Sequence, residues 1–312
     1  MAHNARIDGN PRVSPSTNPA AAIPDPARPP AARHFKVTMS GVEQAGDRKP
    51  AQLPRVEAFC PPELAGRPVF MVLPGGAYHH HAEHEGRDVA LWLNGLGINA
   101  VVLHYSVAAD RPTEALHPAP LQDARAVLAW LRGGESGLAV DAKRIGVVGF
   151  SAGGHLAATL SAGVDAGAGP AADRPDLAVL AYPVVSLVSH SHEGSVEALL
   201  GPDPSSAQRR ALSAHQAVDA SAPPTFLWHT ADDMAVPVEN SLLHSAALAR
   251  HGVPFELHVF PQGRHGLGLA VNEPGGRHPA ADWARLCRNW LEGQGWLDDT
   301  TTLLAGSQNR RI

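Results

Sequence analysis

The chain has 312 residues and a formal net charge of −5, from 25 Lys and Arg against 30 Asp and Glu. Hydrophobic residues make up 44% and charged residues 18%, which is the composition of a globular protein and not of a disordered chain. The negative charge argues against nucleic acid as a partner, and no apolar run approaches the roughly 20 residues that a membrane helix needs. Two cysteines, Cys60 and Cys287, cannot form a disulfide framework.

The two ends of the chain differ in composition from its middle. Residues 1–33 are rich in Pro, Ala, Asn and Ser, and we expect a mobile N-terminal tail there. Residues 298–312 are mostly polar, and we expect a second tail. The short apolar stretch at 20–23 is followed by prolines and is too short for a secretory signal, which predicts a cytoplasmic protein. Between the tails, residues 34–297 are predicted to form one domain.

Strand and helix patterns alternate through this domain. Short apolar runs predict strands at 69–73, 98–103, 144–150, 177–182, 225–229 and 254–260. Apolar residues at helical spacing predict helices at 89–96, 121–131, 152–160, 238–251 and 283–290. The alternation predicts an α/β fold, with a mostly parallel central sheet and helices on both faces. Only 184–222 departs from it, and we interpret that segment as an irregular, cap-like connection with partial helix.

Residues 149–153, Gly-Phe-Ser-Ala-Gly, fit the G-x-S-x-G pattern and lie between a predicted strand and a predicted helix. In that context the turn projects the Ser151 hydroxyl over the edge of the sheet, and the flanking glycines let the strand and the helix approach closely. The pentapeptide alone would also suit a turn of small residues that serves packing. The motif and its context together predict that Ser151 is a nucleophile.

A serine hydroxyl is a weak nucleophile without a base, and in this arrangement the chain order is Ser, then Asp or Glu, then His. Asp232 and Asp233 follow the fifth predicted strand, and His265 follows the last. We expect His265 to take the proton from Ser151 and a carboxylate to orient the imidazole. Asp233 is favoured because it lies three residues before residues 236–237, Val-Pro, as in similar loops of this fold; Asp232 stays open as the alternative.

The loop after the first predicted strand, Pro74-Gly75-Gly76-Ala77-Tyr78, is placed to bind a developing oxyanion. Its pattern is similar to the HGGG-type loop of esterases, with Pro74 in place of the histidine and Ala77 in place of the last glycine. Backbone amides do not depend on the side chain, so the substitutions leave the donors intact. The amides of Gly76, Ala77 and Ala152 are the predicted oxyanion donors.

A run of histidines, 79–81, follows this loop, and His84 comes shortly after it. His80 and His84 have the spacing of a metal-binding pair on a helix, but no spaced cysteine or carboxylate completes a ligand set, so the sequence predicts no metal. We expect Tyr78, His79 and His80 to form a polar rim that faces the substrate. A solvated loop is the alternative.

With these motifs in place, the chain resembles the α/β-hydrolase superfamily over residues 34–297. Within it, the chain looks like the small esterases grouped with acetylxylan esterases and bacterial feruloyl esterases. The residues that carry the resemblance are LPGGAY (73–78), GFSAGGHLA (149–157), YPVVS (182–186), HTADD (229–233) and GRHG (263–266). The resemblance implies a catalytic domain with the triad and the oxyanion amides named above, and it implies no metal or organic cofactor.

The activity to expect from this resemblance is hydrolysis of short acyl esters through an acyl-enzyme intermediate. Acetylated sugars or xylooligosaccharides are the suggested substrates, so the expected partner is a small-molecule ester. An amidase or arylformamidase and a prolyl-oligopeptidase-like peptidase use the same fold and stay open as alternatives. A non-enzymatic scaffold would be expected to lack a triad member, and none is missing from the sequence. The sequence indicates no oligomeric state.

Overall fold

The computed structural model describes residues 33–36, 54–110, 115–134, 136–165 and 174–297, the first of these as backbone only. Its strands are β1 (Arg33–Lys36), β2 (Arg55–Phe59), β3 (Arg67–Leu73), β4 (Asn99–His104), β5 (Val140–Phe150), β6 (Leu177–Ala181), β7 (Thr225–Thr230) and β8 (Phe255–Phe260). Its α-helices are α1 (Glu83–Gly95), α2 (Ala119–Arg132), α3 (Ser151–Ala162), α4 (Glu193–Leu200), α5 (Ser206–Ala211), α6 (Ala214–Ala217), α7 (Glu239–Arg250) and α8 (Asp282–Gly293). Apart from Arg33, which begins β1, the two predicted tails lie outside the described residues.

The described strands form one sheet in the order β1-β2-β4-β3-β5-β6-β7-β8. β3 to β8 run parallel to one another, whereas β2 pairs antiparallel with β4, and β1 pairs antiparallel with β2. The predicted fold class, with a mostly parallel sheet, is confirmed, and all six predicted strands are present. The prediction omits β1 and β2. Arg-Val-Glu-Ala-Phe in β2 is not a continuous apolar run, and its strand conformation depends on pairing with β4.

Two apolar layers cover the two faces of the sheet, because successive side chains of a strand point to opposite faces. Met71 of β3 belongs to the layer shared with α2, α3 and α7, whereas its neighbours Phe70 and Val72 belong to the layer shared with α1 and α8. Cys287 of α8 is fully buried in this second layer, as the apolar stripe of the helix predicts. Across the described ranges, each helix is too short or too polar to cross a bilayer.

The segment predicted as an irregular connection, 184–222, contains the short helices α4, α5 and α6. Arg209 of α5 holds the segment together: its guanidinium donates to both carboxylate oxygens of Glu193 at 3.0 and 2.9 Å and to the Leu187 carbonyl oxygen at 3.1 Å. The hydrogen bond from Arg209 lowers the pKa of Glu193 to about 2. The segment is therefore a partly helical connection.

Candidate active site

Ser151 lies at the sharp turn where β5 ends and α3 begins. Its backbone has a positive φ of 53°, a conformation that costs a non-glycine residue about 1–3 kcal/mol and persists only where the surroundings enforce it. Close packing enforces it here, because a Cβ added at Gly153 would collide with the carbonyl oxygens of Leu73 and Pro74. The turn holds Ser151, which is 8% exposed, above the carboxyl end of β5.

Ser151, His265 and Asp233 form one hydrogen-bonded chain. His265 Nε2 lies 2.7 Å from Ser151 Oγ, and His265 Nδ1 lies 2.6 Å from Asp233 Oδ2. Asp233 Oδ1 accepts the backbone amides of Ala235 and Val236, each at 2.9 Å. Because an ionised carboxylate only accepts hydrogen bonds, the proton of the neutral imidazole resides on Nδ1, and Nε2 directs its lone pair at the Ser151 hydroxyl. The structure thus brings together the three residues that the sequence predicts as a triad.

The Asp233 carboxylate is buried but stays ionised. Burial raises its pKa, but hydrogen bonds from His229, from His265 and from the Val236 amide outweigh burial and hold the pKa well below its usual range. His229 lies fully buried behind it, with Nε2 3.5 Å from Asp233 Oδ2 and 2.9 Å from the Val236 carbonyl oxygen. A negative charge beside the His265 ring would stabilise the imidazolium that forms when this ring takes a proton.

Asp232, the alternative acid, makes a different contact. Its side chain is exposed, and its Oδ1 accepts the Gly263 amide at 2.8 Å. Gly263 lies two residues before His265 in the segment 261–268, which we call the His265 loop. Of the two carboxylates, Asp233 therefore contacts the imidazole, and Asp232 ties the end of β7 to the loop that carries it.

The loop at residues 74–78, which we call the oxyanion loop, packs against the nucleophile. A Cβ added at Gly75 would lie 3.0 Å from Ser151 Cβ. Gly76 and Ala77 have positive φ angles of 123° and 55°, and within the described part of the chain no acceptor binds their amides. Ala152 is in the first turn of α3, where backbone amides have no partner inside the helix. The role of these three amides as oxyanion donors stays a prediction.

Two side chains support the oxyanion loop where Pro74 replaces the histidine of the esterase pattern. The Tyr105 hydroxyl donates to the Pro74 carbonyl oxygen at 2.6 Å, and Glu85 Oε2 accepts the Gly75 amide at 2.7 Å. Tyr105 and Glu85 are both buried. The loop therefore has hydrogen-bond support without a histidine at position 74.

Tyr78 lies inside the protein instead of at the rim, which corrects its prediction as a substrate-facing residue. It is 1% exposed, and its hydroxyl lies 2.8 Å from His155 Nδ1. His155 Nε2 lies 2.8 Å from the Leu212 carbonyl oxygen and must donate to it, so Nδ1 accepts the Tyr78 proton. Burial of the aromatic ring decides this orientation, and the side chain anchors the oxyanion loop. Of the predicted rim, His79 and His80 are exposed.

His84 contacts the His265 loop. Its Nε2 donates to the Gly266 carbonyl oxygen at 3.0 Å. Within the described ranges, no group of three or more His, Cys, Asp or Glu side chains is arranged to hold a metal ion. Burial raises the pKa of the Cys60 thiol to about 12 and that of Cys287 well above its usual range, so neither is a thiolate.

Known proteins share this architecture and these motifs. The family model named BD-FAE matches residues 58–248, which is more than half of the chain. The chain belongs to the BD-FAE family. This membership confirms the resemblance to the small esterases of the α/β-hydrolase superfamily. The matched range contains Ser151 and Asp233, and His265 lies beyond it.

Two relatives of this chain are much longer than the part of them that aligns with it. Endo-1,4-beta-xylanase B of Butyrivibrio fibrisolvens is 34% identical over 227 residues, which is 71% of this chain and 36% of that protein. The acetylxylan esterase of Xylanibacter ruminicola is 31% identical over 222 residues, which is 68% of this chain and 43% of that protein. The chain therefore spans less than half the length of these relatives.

A solved structure resembles the BD-FAE domain over most of both chains. It is an acetyl ester-xyloside bifunctional hydrolase from Caldicellulosiruptor lactoaceticus, with a TM-score of 0.73 and 43% identity. The match covers 84% of this chain and 95% of that one. The α/β-hydrolase fold of the family is confirmed by this likeness.

Sequence reasoning missed two buried polar residues of this BD-FAE site, Glu85 and Tyr182. Glu85 is 2% exposed and Tyr182 is 2% exposed, and their side chains contact each other. A signal for Glu85 exists in the sequence: it lies four residues before Val89, on the apolar stripe of α1, where a carboxylate is out of place unless it has a partner. Tyr182 directly follows β6, at the edge where the site forms.

Proposed function

We propose that the protein is a serine carboxylic-ester hydrolase that acts on short acyl esters. The observation that carries the proposal is the hydrogen-bonded chain from Ser151 Oγ through His265 to Asp233, with links of 2.7 and 2.6 Å. Membership of the BD-FAE family supports the same activity. In this proposal Ser151 is the nucleophile, His265 is the general base and acid, and Asp233 orients the imidazole and stabilises its positive charge.

In the first half-reaction, His265 Nε2 takes the hydroxyl proton while Ser151 Oγ forms a bond to the acyl carbon. The substrate carbonyl oxygen becomes an oxyanion, and the amides of Gly76, Ala77 and Ala152 donate to it. His265 then gives the proton to the alcohol oxygen, and the bond from that oxygen to the acyl carbon breaks. The alcohol leaves, and Ser151 keeps the acyl group.

In the second half-reaction, a water molecule takes the place of the alcohol. His265 Nε2 takes one water proton, and the water oxygen forms a bond to the acyl carbon. The same three amides stabilise the second oxyanion, and His265 returns the proton to Ser151 Oγ as the acyl bond breaks. One ester and one water become one carboxylic acid and one alcohol, with no net change in the protein.

We propose acetyl esters of sugars or of xylooligosaccharides as the substrates. The support is the similarity of the chain to an acetylxylan esterase and to an acetyl ester-xyloside bifunctional hydrolase. The exposed His79 and His80 next to the oxyanion loop would offer hydrogen-bond donors and acceptors to a polyhydroxylated alcohol. A location in the cytoplasm stays a prediction from the sequence.

Ser151→Ala tests the catalytic proposal, with Ser161→Ala as the matched control. Both serines are buried and belong to α3, so the two variants lose the same atoms from the same helix. Ser151→Ala should lower kcat on 4-nitrophenyl acetate by about 10⁶-fold, as removal of a triad serine does elsewhere. Ser161→Ala should keep wild-type kcat, and a fluorophosphonate should label wild-type protein at Ser151 alone. Wild-type kcat in Ser151→Ala would refute the assignment.

A substrate panel tests the ester class. The panel compares acetate, butyrate and feruloyl esters with an anilide and a peptide, followed by acetate release from acetylated xylooligosaccharides. Fastest turnover of the short acyl esters is expected. Preference for the anilide would favour an amidase, preference for the peptide would favour a peptidase, and inactivity on every compound would favour a scaffold.

A further inference from the structure

Glu85 is a buried carboxylate that the proposed reaction does not use. It lies in the first turn of α1, and its Oε2 accepts the Gly75 amide of the oxyanion loop at 2.7 Å. The positive end of the helix dipole compensates part of the cost of burying a negative charge at this position. A Cβ added at Gly75 would lie 2.6 Å from Glu85 Oε2 and 3.0 Å from Ser151 Cβ, so the carboxylate lies close beside the nucleophile.

The second oxygen of Glu85 connects to the opposite side of the site through Tyr182. The Tyr182 hydroxyl donates to Glu85 Oε1 at 2.5 Å and accepts the Gly268 amide of the His265 loop at 2.8 Å. Burial, and then the charge of Glu85, raises the pKa of Tyr182 well above its usual range, so the hydroxyl keeps the proton that it donates. The Tyr182 ring also packs edge-on against the His265 ring, with 5.0 Å between centroids.

These contacts make one continuous path: the Gly75 amide, the Glu85 carboxylate, the Tyr182 hydroxyl and the Gly268 amide. The path joins the loop that holds the oxyanion donors to the loop that holds the general base. We propose that Glu85, acting through Tyr182, is a positioning residue that sets the oxyanion loop at its working distance from His265. The inference rests on the proposed esterase function of the same site.

A carboxylate is the side chain that this path requires. Glu85 accepts one hydrogen bond on each oxygen, from a backbone amide that cannot change direction and from a hydroxyl. In Glu85→Gln one oxygen becomes an NH₂ group. If the NH₂ faces Gly75, two donors oppose each other; if it faces Tyr182, the hydroxyl loses its acceptor. The first arrangement breaks the link to Gly75, and the second leaves the buried Tyr182 proton without an acceptor and replaces a charged link with a reversed, neutral one. We expect either arrangement to displace one of the two loops.

A positioning role and a purely structural role predict different kinetics. The oxyanion amides bind the substrate oxygen most strongly when its charge develops, so a displaced loop lowers kcat while KM changes little. A misplacement of about 1 Å costs on the order of 100-fold in rate. A residue that only stabilises the fold would lower the melting temperature and leave kcat of the folded protein unchanged.

The test compares Glu85→Gln, Tyr182→Phe and their double variant with Glu83→Gln as the control. Glu83 lies in the same turn of α1 but is exposed. With 4-nitrophenyl acetate, Glu85→Gln should lower kcat about 100-fold with KM within about threefold, and Tyr182→Phe about tenfold. The double variant should be no slower than Glu85→Gln alone, because both changes break the same path. Glu83→Gln should match the wild type.

Three results would overturn the proposal: wild-type kcat in folded Glu85→Gln, wild-type kcat in Tyr182→Phe, or multiplicative losses in the double variant. If Glu85→Gln does not fold, Tyr182→Phe decides. If the wild-type protein hydrolyses no ester, the proposed function fails, and ¹⁵N NMR of the imidazoles decides the positioning role separately. His265 signals, identified by their loss in His265→Gln, should move in Tyr182→Phe and not in Glu83→Gln; unmoved signals would overturn it.

Discussion

Asp233→Asn changes one carboxylate oxygen to an amide nitrogen and keeps the shape of the side chain. The remaining oxygen is expected to keep the hydrogen bonds from the Ala235 and Val236 amides, which Oδ1 accepts at 2.9 Å. The new NH₂ then takes the position of Oδ2, 2.6 Å from His265 Nδ1 and 3.5 Å from His229 Nε2. A donor now faces the Nδ1 proton of His265. The imidazole is driven to the other tautomer, in which Nε2 carries a proton and cannot accept one from the serine.

The expected loss is large because the base itself is disabled. The equivalent change in a serine protease lowers kcat about 10⁴-fold, which corresponds to about 5 kcal/mol at 1.36 kcal/mol for each tenfold. Asp232→Asn is the matched control, one residue away. It keeps an oxygen that can accept the Gly263 amide, the contact that Asp232 Oδ1 makes at 2.8 Å. We expect it to lose about tenfold or less, through disturbance of the His265 loop.

The assay is kcat and kcat/KM on 4-nitrophenyl acetate for both variants, with thermal unfolding as the check that each is folded. A crippling effect of Asp232→Asn with a mild effect of Asp233→Asn would exchange their roles and contradict the geometry. Mild effects of both would show that neither carboxylate serves the base, and the triad proposal would fail.

EDTA should leave ester hydrolysis unchanged, because the proposed reaction uses only side chains and backbone amides; a loss that zinc restores would contradict this and make His80 and His84 candidate ligands. The depressed pKa of Asp233 contributes stability that is present above the unfolded value of about 3.9 and is lost as the pH falls toward the folded value. The melting temperature of the wild type should therefore exceed that of Asp233→Asn, and this difference should be larger at about pH 6 than at about pH 3. An equal difference at both pH values would be evidence against the lowered pKa of Asp233. Gly153→Ala should lower the free energy of unfolding by about 1–3 kcal/mol or more, because its Cβ would collide with backbone atoms. Gly293→Ala, at the end of α8 where a Cβ meets open space, should raise it by about 1 kcal/mol or less. Chemical denaturation measures both changes, and equal effects would refute the packing argument.

Local patterns in the sequence were sufficient for the fold class and for most of the elements. The apolar run of β3, the helical stripe of α1 and the stripe of α8 are signals carried by neighbouring residues, and each element is present. The turn at Ser151 is predictable for the same reason, because its motif lies between two elements whose types the sequence indicates. The order of Ser151, Asp233 and His265 along the chain, each after a parallel strand, predicts that they meet at one edge of the sheet.

Contacts between distant residues were decided only by the tertiary structure. β2 is a strand because β4 pairs with it, and the Tyr78 ring can be buried because His155, 77 residues later, accepts the proton of its hydroxyl. Glu85 and Tyr182 are 97 residues apart, and their contact requires the first turn of α1 and the end of β6 to converge. Asp232 and Asp233 have the same chemistry and adjacent positions, so the spacing to residues 236–237 favoured Asp233 but left Asp232 open. The direction of each side chain in the folded loop decides between them: the Asp233 carboxylate contacts the imidazole, and the Asp232 carboxylate accepts the Gly263 amide.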